Sequence, residues 1–392
     1  MQILHTAIDR IPRTLASTRR VRQANTSKPH AMQISMGSVQ PVSPSNRQRI
    51  SFLFDELRDG DFSERWSIAK QLAKWGDDVI DGAIALLQKH DNDDELCWFM
   101  AQILGNSPSP AAVSALLDLL THHADKDVKA KAATTLAHLG SVAIAPLARL
   151  LEEPQWRLLA VRALAEVQHP DVVDVLLPYS SDTDATVRAE ILATFSIFRT
   201  SRVLSSLIRG LEDPASIVRR EATVGLGLQR DFAEERELVR LLKRQLFDLD
   251  LGVCQQAAIA LSRLGTVEAV TVLSQTLQSS LTPQPLRLHI VRSISWIETP
   301  AALEALRDGL SIDDPDVCGE ILDNLGRIQN PQLEAQILQI LTQWLDSGHP
   351  ALKQPRVRRS IALGLKRLGS PAISHFENDP DETVRYHAAT EC

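Results

Sequence analysis

The chain has 392 residues and a formal net charge of −7. Apolar residues make up 44% of it but aromatic residues only 4%, which favours aliphatic packing between helices over a β-sandwich. The sequence contains no run of about 18 apolar residues free of charge, so no membrane-spanning helix is expected. The four cysteines form no CxxC pair, and unpaired thiols of this kind indicate a reducing, cytoplasmic location.

The charge is distributed unevenly along the chain. Residues 1–49 carry eight basic residues and one acid, Asp9, which leaves the remainder with a net charge of −14. Such an acidic body is unsuited to nucleic acid, because affinity there comes from neutralised phosphates. Residues 10–49 have no sustained apolar period, so residues 1–49 are predicted to be a disordered basic extension and residues 50–392 a single domain. Translation from Met32 or Met36, a targeting segment and a partner-binding tail are alternative interpretations of the extension.

A repeated apolar pattern begins near residue 96. Ten segments place apolar residues at i, i+4 and i+8, a spacing that keeps three side chains on one face of an α-helix. Successive segments start 27 to 40 residues apart, which leaves room for two short helices and two turns in each unit. The segments start at Leu96, Val128, Trp156, Val187, Val218, Val253, Leu286, Val317, Val357 and Val384.

Turn residues follow the same period. An Asp three residues before the first apolar position predicts a helix N-cap in six units, and a Gly after the segment predicts a helix end in five. The aspartates are Asp93, Asp125, Asp184, Asp250, Asp314 and Asp381, and the glycines are Gly105, Gly140, Gly265, Gly326 and Gly369. No single unit can bury its own apolar face, so an all-α stack of such units is expected.

These units resemble HEAT repeats. The resemblance rests on segments such as Asp213-Pro214-x-x-x-Val218-Arg219 and on endings such as residues 258–265, and it is strongest to the short repeats of the phycobilisome lyase group. It implies a right-handed α-α superhelix, a HEAT-like solenoid of about ten to eleven two-helix repeats. It also implies that the helix with the Val-Arg start lines the inner surface.

On that inner helix, the residue after the first apolar position is basic in seven units. Together with further basic residues nearby, these positions predict a concave stripe that binds an acidic or cofactor-carrying protein partner. The alternative that the resemblance implies is a structural ladder, in which each Arg pairs with an Asp of the neighbouring unit and contributes ~0–1 kcal/mol where exposed. The predicted stripe is Lys129, Lys131, Arg157, Arg162, Arg188, Arg219, Arg220, Arg287, Arg292, Arg358 and Arg359, and Arg385 is the seventh aligned residue.

Three other units have cysteine at the aligned position, namely Cys97, Cys254 and Cys318. They are either small residues tolerated in the ladder or thiols that contact a metal- or chromophore-carrying partner. Helices in such stacks lie roughly 8–10 Å apart, so thiols two or more units apart cannot share one metal ion. Cys392 closes the last apolar segment as a core residue or an exposed terminal thiol.

The sequence offers no catalytic motif. No histidine is followed by Glu, which excludes the di-iron hydroxylase reaction known among HEAT-like proteins, and phosphate-binding and serine-hydrolase motifs are missing. We therefore expect no metal, no cofactor and a non-catalytic scaffold or adaptor that binds a protein partner. The alternatives are phycobilin lyase-like chromophore handling, for which Trp156, His289 and Trp296 would serve, and partnership with an iron–sulfur cluster scaffold.

Overall fold

A computed structural model of the protein describes residues 44–231 and 234–389. Of residues 1–49, which were expected to be disordered, residues 1–43 lie outside the described residues, as does Cys392. The first helix begins at Pro44, so the domain boundary expected at residue 50 falls within a helix whose Ile50 and Leu53 are already buried in the core. In the described part of the chain, no helix is long and apolar enough to cross a membrane.

The described residues form two layers of helices that alternate along the chain. The first layer contains α1 (Pro44–Asp59), α3 (Ile80–Lys89), α5 (Pro110–His122), α7 (Ile144–Leu150), α9 (Asp171–Leu176), α11 (Leu204–Gly210), α13 (Glu235–Gln245), α15 (Val267–Gln278), α17 (Pro300–Gly309) and α19 (Glu334–Leu345). The second contains α2 (Phe62–Leu72), α4 (Asp94–Leu104), α6 (Lys126–His138), α8 (Pro154–Val167), α10 (Ala185–Ile197), α12 (Ser216–Leu226), α14 (Leu251–Leu264), α16 (Gln284–Ser295), α18 (Pro315–Arg327), α20 (Pro355–Arg367) and α21 (Glu382–Ala389). A 3₁₀ segment, Pro371–Phe376, takes the first-layer place before α21. The predicted all-α solenoid is confirmed.

The core lies between the layers. The predicted apolar segments are buried, except for Trp156 and Ala388, which are half-buried. Each second-layer helix packs along its neighbours in the same layer, whereas most first-layer neighbours touch at fewer points. Closer packing is expected on the inner side of a curved stack, so we call the second layer the inner layer.

The six predicted N-caps are confirmed. Each aspartate lies just before an inner-layer helix, and its carboxylate accepts a hydrogen bond from a backbone N–H of the first turn. Each cap typically stabilises the folded chain by ~1 kcal/mol, because a backbone N–H that would otherwise be unpaired gains an acceptor. A seventh cap, Asp61, forms a complete capping box with Glu64 at the start of α2.

The glycines divide into two groups. Gly140, Gly265 and Gly369 end helices with φ of 69°, 65° and 61°, a left-handed conformation that glycine adopts without strain. Gly105 also ends its helix, but in the right-handed conformation. The expected helix end at Gly326 is wrong, because this residue lies inside α18. A Cβ there would stand 3.3 Å from the Cα of Gly364, so Gly326 allows α18 and α20 to approach closely.

Candidate functional site

The aligned arginines of the predicted stripe clamp neighbouring repeats together. In four repeats the guanidinium forms an ion pair with an aspartate in the turn of the next repeat, three residues before the first residue of its helix. The pairs are Arg157–Asp182 at 2.6 Å and Arg188–Asp213, Arg219–Asp248 and Arg358–Asp379, each at 2.7 Å. The same arginines donate hydrogen bonds to backbone carbonyls of their own turn. Arg65 on α2 forms a related pair with Asp93 at 2.9 Å.

The electrostatics of this ladder reflect its geometry. The hydrogen bond from Arg219 holds the pKa of the Asp248 carboxyl below its usual range. The arginines of the ladder show the opposite shift: in the neighbouring pair, the hydrogen bond to Asp213 raises the pKa of Arg188. Both side chains of the Arg219–Asp248 pair are largely buried, with 16% and 9% of their surface exposed. These guanidinium groups are therefore engaged in the fold.

Three aligned basic residues form no such ion pair among the described residues: the matching place in the next turn is not an aspartate for Lys129 and Arg287, and Arg385 lies on the last described helix. Lys129 donates to the carbonyl of Thr121 at 3.4 Å, and Arg385 donates to two carbonyls of its own turn. Arg287 donates to Ser279 at 2.8 Å, but its Nε is buried without a partner among the described residues. The matching place in the next turn holds Ile312, which explains why Arg287 lacks the carboxylate that its equivalents have.

The more exposed arginines of the predicted stripe are neutralised by glutamates. Arg162 pairs with Glu190 at 3.3 Å, Arg220 with Glu221 at 3.1 Å and Arg292 with Glu320 at 2.7 Å. The hydrogen bond from Arg292 lowers the pKa of Glu320. Arg359 is half-buried. Seven of the eleven positions expected to form a basic surface are thus paired with a carboxylate.

The three described cysteines take the place of the ladder arginine. Their thiols point to the turn carbonyls that an arginine binds elsewhere: Cys254 Sγ lies 3.2 Å from the carbonyl oxygen of Asp248, and Cys318 Sγ lies 3.3 Å from that of Ile312. All three are buried and unpaired. Burial raises the pKa of Cys97 and of Cys318 to about 11, so these groups are protonated, weakly reactive thiols at neutral pH.

A group of aromatic side chains lies on the inner layer at the start of the stack. Phe62 and Trp66 on α2 stack on each other with ring centroids 6.2 Å apart, and Trp66 stacks on Trp98 of α4 at the same distance. Phe99 packs edge-on beneath Trp98 at 5.2 Å and is fully buried. Phe62 and Trp66 remain 56% and 39% exposed. Aromatic rings exposed together in this way are typical of binding surfaces.

Two of these rings, Phe62 and Trp98, line a cleft of about 560 Å³ across the N-terminal ends of α2, α4 and α6, and Trp66 adjoins it by stacking on both. Lys131 on α6 lies over the Trp98 ring, with its ammonium 4.4 Å from the ring centroid. Desolvation by burial lowers the pKa of Lys131. We call this site the aromatic cleft; its other polar walls are Asp94, Glu95, Asp125 and Asp127. No group of three or more metal-binding side chains occurs in the described ranges.

Most of the aromatic cleft was not anticipated from the sequence; only Lys131 belonged to the predicted stripe. Phe62, Trp66 and Arg65 lie in the first repeat, where residues 64, 68 and 72 only approximate the apolar pattern. The sequence feature that could have indicated this site is the concentration of aromatic residues between positions 62 and 99 of a chain with 4% aromatic content.

The fold and the ladder define a helical-repeat protein, and comparison with known families identifies the repeat. The family model for HEAT repeats matches residues 50–137, 80–159 and 146–227. Residues 50–227 are therefore HEAT repeats, as the sequence resemblance indicated. No curated protein sequence matches the chain.

Several solved structures are similar in fold. An engineered protein is 20% identical, with 86% of this chain and 97% of that chain covered and a TM-score of 0.38. Human deoxyhypusine hydroxylase is 20% identical, with 62% and 93% covered and a TM-score of 0.28. The CpcE–CpcF complex of phycocyanin lyase from Nostoc is 19% identical, with 59% and 94% covered and a TM-score of 0.32. Similarities of this size do not assign an activity.

Proposed function

We propose that the protein is a non-catalytic scaffold or adaptor that binds a protein partner through its inner layer, at the aromatic cleft. The observation that carries this proposal is the row of stacked rings on α2 and α4, in which Phe62 and Trp66 are exposed side by side. Tryptophan and phenylalanine are enriched in protein interfaces, and tryptophan is among the residues that contribute most to binding. Buried, unpaired cysteines support a reducing compartment such as the cytoplasm.

The alternative functions have less support in the arrangement of side chains. A bilin would need Trp156 and Trp296 in one site, but they lie on α8 and just after α16, four inner helices apart. At the usual helix spacing this is roughly 30–40 Å. An iron–sulfur partner would be expected to meet accessible thiols, and the three described thiols are directed at turn carbonyls.

The proposal is tested by capturing partners from a native extract with the tagged full chain and with the double variant Trp66→Ala/Trp98→Ala. Removing two anchor rings of an interface should weaken a partner's binding by a factor of about 30 or more. Trp296→Ala is the matched control, because Trp296 is a 60% exposed ring outside the cleft. Circular dichroism confirms that each variant is folded, and captured proteins are purified and titrated individually.

A partner that binds the double variant as tightly as the original chain would refute the assignment of the aromatic cleft. Loss of binding with Trp296→Ala alone would move the site to the middle of the stack and favour chromophore handling.

A further inference from the structure

The aromatic cleft has a negative lining. Four carboxylates, Asp94, Glu95, Asp125 and Asp127, face one lysine, Lys131, which gives the lining a formal charge of −3. Of these acids, Glu95 is paired with Arg65 at 3.1 Å, while Asp94, whose side chain is 61% exposed, lies 3.8 Å from His123 Nε2. An incoming group near Asp94 and Asp127 therefore meets negative charge beside an apolar ring surface.

The contact between Lys131 and Trp98 shows which ligand chemistry the ring accepts. An ammonium group 4.4 Å from the centroid of an indole ring is a cation–π contact. Lys131 is half-buried, and desolvation lowers its pKa, so the cation is held there at some cost in hydration. Trp66, which stacks on Trp98, has a similar contact, since the Lys70 ammonium lies 5.0 Å from its ring centroid.

From these observations we infer that the aromatic cleft binds a basic peptide segment of the partner, with an arginine or lysine side chain replacing Lys131 over Trp98. The inference rests on the proposed function and specifies the chemistry of the partner. It reverses the expectation of an acidic partner, in which Lys131 itself would contact the ligand. Arginine fits best, because its planar guanidinium stacks on an indole and forms two hydrogen bonds with one carboxylate.

A basic partner and an acidic partner predict opposite effects on binding affinity when Lys131 is replaced. As an internal competitor, it must leave the ring before a cationic side chain can bind. Its replacement in Lys131→Gln frees the ring face and changes the formal charge of the lining to −4. The affinity for a basic peptide should then rise about tenfold. If Lys131 were a contact for an acidic ligand, the same substitution would weaken binding.

The experiment uses the full chain and a synthetic peptide of alternating Arg and Gly, with the Lys–Gly and Glu–Gly peptides as charge controls. Binding is measured by isothermal titration calorimetry and by the change in tryptophan fluorescence. We expect the Arg–Gly peptide to bind more tightly than the Lys–Gly peptide. The Glu–Gly peptide should not bind, and Trp98→Ala should lower the Arg–Gly affinity at least tenfold.

Lys89→Gln is the matched control, because it makes the same change in net charge at an exposed position of the first layer. It should change the Arg–Gly affinity less than twofold at physiological salt, where charges beyond about 8 Å are screened. The inference is overturned by unchanged or weaker binding in Lys131→Gln, by preference for the Glu–Gly peptide, or by spermine binding as tightly as the peptide. Loss of the captured partner in Trp66→Ala/Trp98→Ala with no binding of any basic peptide would refute this inference alone.

Discussion

The charged ladder can be replaced by the uncharged arrangement that the protein itself uses one repeat further on. Arg219 and Asp248 form a two-point ion pair, with hydrogen bonds of 2.7 and 2.8 Å. In the next repeat Cys254 takes the place of the arginine, and Leu281 stands where the aspartate would be. We therefore expect Arg219→Cys to be strongly destabilising alone but tolerated together with Asp248→Leu.

The magnitude follows from the burial of the pair. Arg219→Cys leaves the Asp248 carboxylate, of which 9% is exposed, without its counter-ion. Removing one partner of a buried pair lowers the free energy of unfolding by about 3–5 kcal/mol. Because the Arg219–Asp248 pair lies at the edge of the inner layer, we expect a loss near the lower limit, about 3 kcal/mol. The double variant removes both charges and loses the hydrogen bond from the Asp250 N–H to Asp248, which is worth about 1 kcal/mol.

The assay is urea unfolding of the full chain followed by circular dichroism, with hydrogen exchange of residues 248–253 as a local measure. Arg220→Cys is the matched control, because the neighbouring Arg220 is half exposed and pairs only with Glu221; it should cost less than about 1 kcal/mol. The reasoning is refuted if the double variant is as unstable as Arg219→Cys. The pKa of Asp248 is lowered, so the stability from this pair should be complete at neutral pH and decline as acid protonates the carboxyl.

Further predictions concern thiols, helix contacts and caps. Cys97 and Cys318, whose pKa is raised to about 11 by burial, should not react with Ellman's reagent in the native chain at neutral pH but should react in denaturant; a Cys254→Ser/Cys392→Ser background isolates their signal. Gly326→Ala should cost about 1–3 kcal/mol in urea unfolding, because its Cβ would meet Gly364 at 3.3 Å. Asp314→Ala should cost about 1 kcal/mol in the same assay, since two backbone N–H groups lose their acceptor.

Local features of the fold could be predicted from the sequence because they depend on residues close in the chain. The i, i+4, i+8 segments and the N-caps such as Asp250 need only helical geometry. The partner of a ladder arginine could not be specified, because Asp248 rather than the cap Asp250 meets Arg219, and that choice depends on how two repeats are offset. Gly326 was misjudged for the same reason: its role lies in a contact with another helix.

The aromatic cleft could not be predicted from the sequence for a further reason. Trp66 and Trp98 are 32 residues apart in the sequence, and their stacking depends on the packing of α2 against α4. The sequence could not show how far the expected basic stripe is neutralised, because the pairing of Arg162 and Arg292 depends on contacts between neighbouring inner helices. Arg292, for example, is neutralised by Glu320 on the next inner helix, and one sequence does not reveal that contact.

The acidity of the aromatic cleft comes from carboxylates that lie outside the ladder. In four repeats an arginine at the ladder position neutralises an aspartate that lies before the N-cap of the next inner helix. In α4 and α6 that position holds Cys97 and Lys129, which bind only turn carbonyls among the described residues. Asp94 and Asp127 follow the N-caps of these helices, where the helix dipole favours a carboxylate. Asp94 lies 3.8 Å from His123 Nε2, and neither acid is paired with an arginine among the described residues. Negative charge therefore accumulates beside the exposed rings, and this is the feature that the proposed basic segment of the partner would use.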